Sequence, residues 1–247
     1  MPKTRDLLYI NSYPKVSKVL SYGLEFKEFM NCIEPKPENI LILKGHYWGS
    51  EFGYTTRCEM CFKQDFEEFV KEEVYNYGDF CWIDFSSVDK LKSLEPLEVG
   101  ELLYLGQLQR PVESPFFSKL DNQYVYLAHD DGWRNEIYYK DFNSFHVILG
   151  NLIALKLKTI HNKDVYLPDQ DVINELIALS ESGLAIDFDR ILEDKEEDSF
   201  EVKIHILGKI QDMDQMYEDY ERLKAKDITN KSLEYCCNKW YFRDWSD

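Results

Sequence analysis

The stretch from Asn122 to Ile160 constrains the fold of this chain most. Gln123-Tyr-Val-Tyr-Leu-Ala128 is rich in aromatic and aliphatic residues and predicts a strand. His129-Asp-Asp-Gly132 follows, and its Asp-Gly pair signals a hairpin because both residues tolerate positive φ. Trp133 to Tyr139 predicts the returning strand. Asp141 is placed to cap a helix whose apolar face carries Phe142, Phe145, Ile148, Leu149, Leu152 and Ile153 at helical spacing. Hairpin and helix each have an apolar face to bury, most simply against each other, so this unit is the expected core.

Around it, strands and helices mix without a strict βαβ rhythm. That predicts an α+β fold with a mixed, largely antiparallel sheet, its hairpin at about 123–139 packed by the long helix at about 142–160. Leu7 to Ile10 and Asn39 to Leu43 read as strands. Lys15 to Ile33 reads as one helix, weakened at Gly23, and Gln64 to Tyr75 as another. Asp79 to Phe85 alternates, with Phe80, Trp82 and Asp84 on one face and Cys81, Ile83 and Phe85 on the other. Ser86 or Ser87 caps a short helix, and Pro96 opens one that runs to about Leu108. Asp169 caps a helix that Gly183 ends, and Asp212 caps the last one. Phe200 to Leu207 alternates cleanly, with Glu201, Lys203 and His205 on its polar face, as an exposed or edge strand of an antiparallel sheet should. His161 to Pro168 is the candidate linker, dividing a main domain (1–160) from a C-terminal subdomain (168–247) packed on it, unless the two form one continuous domain.

The chain of 247 residues carries 29 basic and 46 acidic side chains, a formal charge of −17. A phosphate backbone or an anionic bilayer surface is repelled on average, so neither nucleic acid nor membrane is an expected partner. A basic protein would be drawn in; the alternative is that the charge serves solubility alone. No run reaches the roughly 18 apolar residues needed to span a bilayer, and no long apolar stretch follows Met1 to Ile10 as in a signal peptide. The expected location is the cytoplasm. Its reducing conditions leave the six cysteines as free thiols.

Three groups of residues invite chemistry. His129 beside Asp130 and Asp131 could serve a hydrolase as a general base; against this, a turn selects Asp and Gly for backbone reasons alone. Cys58 and Cys61 have the spacing of half a zinc site, with His46 the histidine nearest in sequence, but a second half is missing and buried or inert thiols are the simpler reading. Trp240, Tyr241, Arg243 and Trp245 join aromatic anchors to arginine, a composition favoured at binding hot spots; the alternative is a terminal segment docked on the core. Asp187-Phe-Asp189 and Asp212-Met-Asp214 lack the glycine and distal glutamate of a calcium loop, and capping or surface charge explains them better. Gly-rich phosphate loops and the nucleophile elbow are absent, so no cofactor is expected.

Tyr77-Gly-Asp-Phe-Cys-Trp-Ile-Asp-Phe85 and Tyr126-Leu-Ala-His-Asp-Asp-Gly-Trp133 resemble a family of soluble bacterial proteins of unknown function, over most of the chain. Members are sometimes labelled oxalate/formate antiporters, a label at odds with the lack of any spanning segment. The strand, Asp/Gly turn, strand and Phe142-Asn-Ser-Phe145 helix start are also similar to SUKH-type immunity proteins. The Pro-Phe-Phe segment before the hairpin and the extra C-terminal part depart from that pattern. Neither resemblance carries over a functional residue. The expectation is a non-enzymatic, immunity-like protein that binds a basic protein partner on an acidic, aromatic surface, with its oligomeric state left open.

Overall fold

The computed structural model describes residues 6–46, 55–71, 79–194, 199–210, 212–226 and 231–244. In chain order the strands are β1 (Leu7–Tyr13), β2 (Lys18–Tyr22), β3 (Asn39–His46), β4 (Thr55–Phe62), β5 (Phe80–Phe85), β6 (Tyr124–His129), β7 (Arg134–Tyr139), β8 (Leu184–Asp194), β9 (Ser199–Ile206), β10 (Lys231–Cys236) and β11 (Lys239–Asp244). The helices are α1 (Phe26–Cys32), α2 (Phe66–Phe69), α3 (Val88–Lys92), α4 (Pro96–Leu108), α5 (Asn143–His161), α6 (Gln170–Ser180) and α7 (Met213–Ala225). The chain is an α+β protein with antiparallel strand pairing, and it contains both the hairpin β6–β7 and the long helix α5.

Internal contacts divide it into two compact units. One is Met1–Pro14, Val19–Leu24 and Asn143–Asp247; the other is Lys15–Lys18 and Glu25–Phe142. This division differs from the one expected at 161–168. The physical reason is β1, which pairs with β8 from Leu7↔Asp187 to Ile10↔Leu184 and so ties the start of the chain to its last third. The 162–168 segment connects α5 to α6 inside a single unit.

The 15–142 unit is built on a sheet of order β7-β6-β5-β3-β4. β5 alternates as its sequence requires, and both of its faces are buried. On one side Cys81, Ile83 and Phe85, with Leu41 and Val125 beside them, meet Leu102 and Leu105 of α4. On the other, Trp82 and Tyr126 stack with ring centroids 6.0 Å apart. Phe26 and Phe29 of α1 close over them, Phe26 edge-on to Trp82 at 6.1 Å and Phe29 tilted against Tyr126 at 5.2 Å. Such offset and edge-on contacts satisfy the ring quadrupoles better than face-to-face stacking. α1 begins with a capping box in which the Glu25 and Glu28 side chains each bond the other's backbone N–H. Pro96 at the first turn of α4 and the Ser87 hydroxyl, which accepts from Lys90 N, start the helices as expected.

The helix expected over 15–33 is instead a strand, a turn and a short helix. Val16, Val19 and Leu20 suit helical spacing, but Lys18-Val-Leu-Ser-Tyr22 suits a strand equally, and β2 lies next to β1. Gly23 at φ 77° ends the strand in a conformation that residues with a Cβ avoid.

Asp84 stands in this sheet as a buried carboxylate. Gln123 N donates to its two oxygens at 2.9 and 3.0 Å, and Tyr124 N donates at 2.7 Å, fixing the entry to β6. These bonds favour the anion, yet burial outweighs them and pushes its pKa up to about 6 from 3.8. A raised value means that the native state holds this proton more tightly than the unfolded chain does. The contribution is therefore fully present below about pH 3.8 and is lost as pH rises through about 6. The gap corresponds to at most about 3 kcal/mol. Asp84→Asn keeps an acceptor for both N–H groups without the charge. Urea denaturation should show it more stable than the parent by about 1–2 kcal/mol at neutral pH, with the advantage gone near pH 4. An advantage that persists in acid would remove the charge from the explanation.

The other unit has the sheet order β11-β10-β9-β8-β1-β2. Leu7, Tyr9 and Ala185 face Met216 and Tyr220 of α7. The alternate residues of β1 face α6, where the Ser180 hydroxyl donates to Ser12 Oγ at 2.6 Å. α5 packs on α6 and on β8. Asp169 and Asp212 cap α6 and α7 through Val172 N and Gln215 N. β9 is not the edge strand its alternation suggested: β8 and β10 pair with it on either side, and His205 on its expected polar face is buried. The true edge is β11, joined to β10 by Cys237 and Asn238 at φ 55° and 64°. Two consecutive left-handed residues match a tight hairpin turn, but Cys-Asn carries no glycine to announce it.

Candidate functional site

Within the Asn143–Asp247 part of its unit, β11 and the N-terminal half of α6 bound an open groove of about 450 Å³. The helix wall presents Asp169, Asp171 and Glu175, and the strand wall Lys239, Tyr241 and Arg243. Asp169 is committed to its cap. Arg243 is held by Glu234 at 2.6 Å and lies over the Tyr241 ring at 5.4 Å, so its charge is neutralised from the β10 side. Asp171 and Glu175 are exposed on the helix wall. Among the described residues no strand pairs with the outer side of β11, which leaves backbone donors and acceptors on that edge open.

Of the expected binding residues, Tyr241 and Arg243 line this groove and are exposed. Trp240 lines it too but is only 3% exposed, so it is no free anchor. Its indole Nε1 donates to Tyr166 O at 2.7 Å, and its rings lie 5.0 Å from Tyr235 and 5.9 Å from Phe200. Trp245 lies outside the described residues. Asp171 and Glu175 were missed, because only the packing of α6 beside β11 makes them part of a site.

The His129 constellation is not assembled. Asp130 takes φ 52° in a 3-10 turn with its side chain exposed. His129 Nε2 is instead buried with no hydrogen-bond partner. Burial first, and then the Arg134 guanidinium beside it, hold the imidazole below its ordinary value. Arg134 is itself paired with Glu136, two residues along the same strand. A general base must reach the proton it removes, and a nitrogen shut off from solvent beside a cation does not. Asp131 lies within the same turn.

Cys58 and Cys61 lie on β4, where three positions of extended chain put side chains on opposite faces about 10 Å apart. Cys58 is exposed and Cys61 buried. His46 pairs with Thr55, three positions along β4 from Cys58. Metal ligation needs such donors to converge, which a strand at this spacing prevents. Among the described residues no three His, Cys, Asp or Glu side chains gather as ligands.

A second cavity, of about 260 Å³, is lined by Asp6, Asp189, Tyr217, Tyr220, Glu221 and Lys224 among others. Tyr220, Asp189 and Lys224 among them are already engaged. Tyr220 donates to buried Asp187 at 2.8 Å, and burial together with that carboxylate raises the phenol far above its ordinary range. Lys224 neutralises Asp189 at 2.9 Å. Asp187 is thus a buried anchor for α7, not the surface charge expected of it. Among the described residues no helix is long and apolar enough to cross a membrane. No protein-family model matches this chain, and neither a curated protein nor a solved structure does.

Proposed function

We propose that this protein is a non-enzymatic binding module, immunity-like in kind, that takes a basic, extended segment of a partner protein along β11. One observation carries the reading: an open edge strand stands beside a helix wall whose carboxylates, Asp171 and Glu175, face the same groove. An extended segment adds to a sheet edge through main-chain hydrogen bonds, and its alternate side chains supply specificity. Lysine or arginine at alternate positions would reach the acidic wall, with Tyr241 as apolar floor. The overall charge of −17 favours the approach of a basic partner.

A synthetic peptide alternating lysine with valine, titrated by fluorescence anisotropy, tests this. Binding should be seen at low salt, fall with added salt, and weaken about tenfold or more in the double variant Asp171→Lys/Glu175→Lys. Equal binding by parent and variant, or indifference to salt, ends the reading.

A further inference from the structure

Cysteine is an odd choice at the turn that joins β10 to β11. A tight turn with two consecutive left-handed residues selects Asn, Asp and Gly. Asn238, at φ 64°, meets that demand; Cys237, at φ 55°, does not. Cysteine is also among the residues most often buried, yet Cys237 is exposed, and Cys236 before it is half-buried. Neither the backbone nor the core accounts for Cys237. What the turn does is bring two thiols together, with their sulfurs 3.4 Å apart. Reacting atoms poised for attack stand at about 3–3.5 Å.

We propose that Cys236 and Cys237 are a modification site, where a reversible disulfide between neighbouring residues forms by exchange with a low-molecular-weight disulfide such as oxidised glutathione. The exposed Cys237 thiolate attacks one sulfur of the oxidant, forming a mixed disulfide and releasing one glutathione thiolate. The Cys236 thiolate then attacks Cys237 Sγ, forming the Sγ–Sγ bond and expelling the second glutathione thiolate. The two thiol protons pass to the two leaving thiolates. The chain gives up two electrons, and the oxidant is reduced to two thiols. Lys239 is exposed directly across the hairpin from Cys236, a cation that draws an anionic oxidant to this end of an acidic chain. The product is strained. Consecutive Cα atoms are about 3.8 Å apart, below the roughly 4.4–6.8 Å that a disulfide usually spans. A strained, exposed disulfide is readily reduced, so the bond reverts when reducing thiols return.

The full chain is incubated with oxidised glutathione, quenched in acid, alkylated and digested without reduction. Trypsin cuts after Lys231 and Lys239, so one peptide, 232–239, carries both thiols. It should appear two hydrogens lighter, with no glutathione attached. Cys58 is the internal comparison. It is exposed, while Cys61 lies buried on the opposite face of β4, so peptide 58–63 should keep glutathione on Cys58 and close no ring. Cys236→Ser removes the second attack, and Cys237 should then hold glutathione too. About a tenfold excess of reduced glutathione should return the parent peptide to two thiols. Glutathione retained on Cys237 of the parent, both thiols of 232–239 left reduced, or a bond that the reduced excess leaves intact would overturn the proposal.

Discussion

Gly183→Ala is expected to cost the fold about 3–5 kcal/mol, enough to unfold a marginal protein. Gly183 follows α6 with φ 82°, and a Cβ there would stand 1.8 Å from the Gly208 carbonyl oxygen and 2.9 Å from Tyr9 Oη. The left-handed conformation alone costs alanine about 1–2 kcal/mol. The collision adds more, because the obstacle is backbone and cannot rotate aside. It also strikes a knot of bonds: Tyr9 Oη donates to Gly208 O at 2.7 Å and accepts from Ile210 N at 3.0 Å. Gly208 is the internal control. Its φ is 88° but nothing lies within 4 Å of its Cβ position. Gly208→Ala should therefore lose only the conformational part, about 1–2 kcal/mol. Urea unfolding midpoints of the two variants decide it, and equal losses would show that the close approach has no energetic weight.

Trp240→Ala is expected to destabilise by about 3–5 kcal/mol, as for other large buried aromatics. It removes the rings' contacts with Tyr235 and Phe200 and leaves Tyr166 O without its indole donor. Tyr241→Ala, one residue along but exposed, should change stability by no more than about 0.5 kcal/mol. Peptide binding should move the other way. Tyr241→Ala weakens it directly, whereas Trp240→Ala at low temperature, while still folded, retains the acidic wall. If chemical denaturation finds Trp240→Ala near neutral, the indole is not the clasp described.

What the sequence discloses of this fold is what depends on neighbours in the chain. The alternation of Phe80 to Phe85, the caps at Ser87, Asp169 and Asp212, and Pro96 at the head of α4 all emerge where expected. The misreadings lie where distant partners decide. Val16 to Tyr22 satisfies two periodicities, and its place beside β1 selects one. Alternation in β9 tells that its two faces differ, not that both edges are taken, and the strand that takes one edge is hidden behind a turn without glycine. The site was half legible for the same reason. The aromatic tail was visible, but nothing local distinguishes a buried Trp240 from an exposed Tyr241, and α6 becomes its other wall only through tertiary packing.

The pairing of Leu7 with Asp187 has a consequence for biosynthesis. At roughly 5–20 residues per second, β1 leaves the ribosome on the order of ten seconds or more before β8, its neighbour on one side, exists. During that delay a nascent apolar strand has β2 on one side and an unpaired edge on the other. The waiting edge of that N-terminal strand is the segment that a chaperone would have to shield.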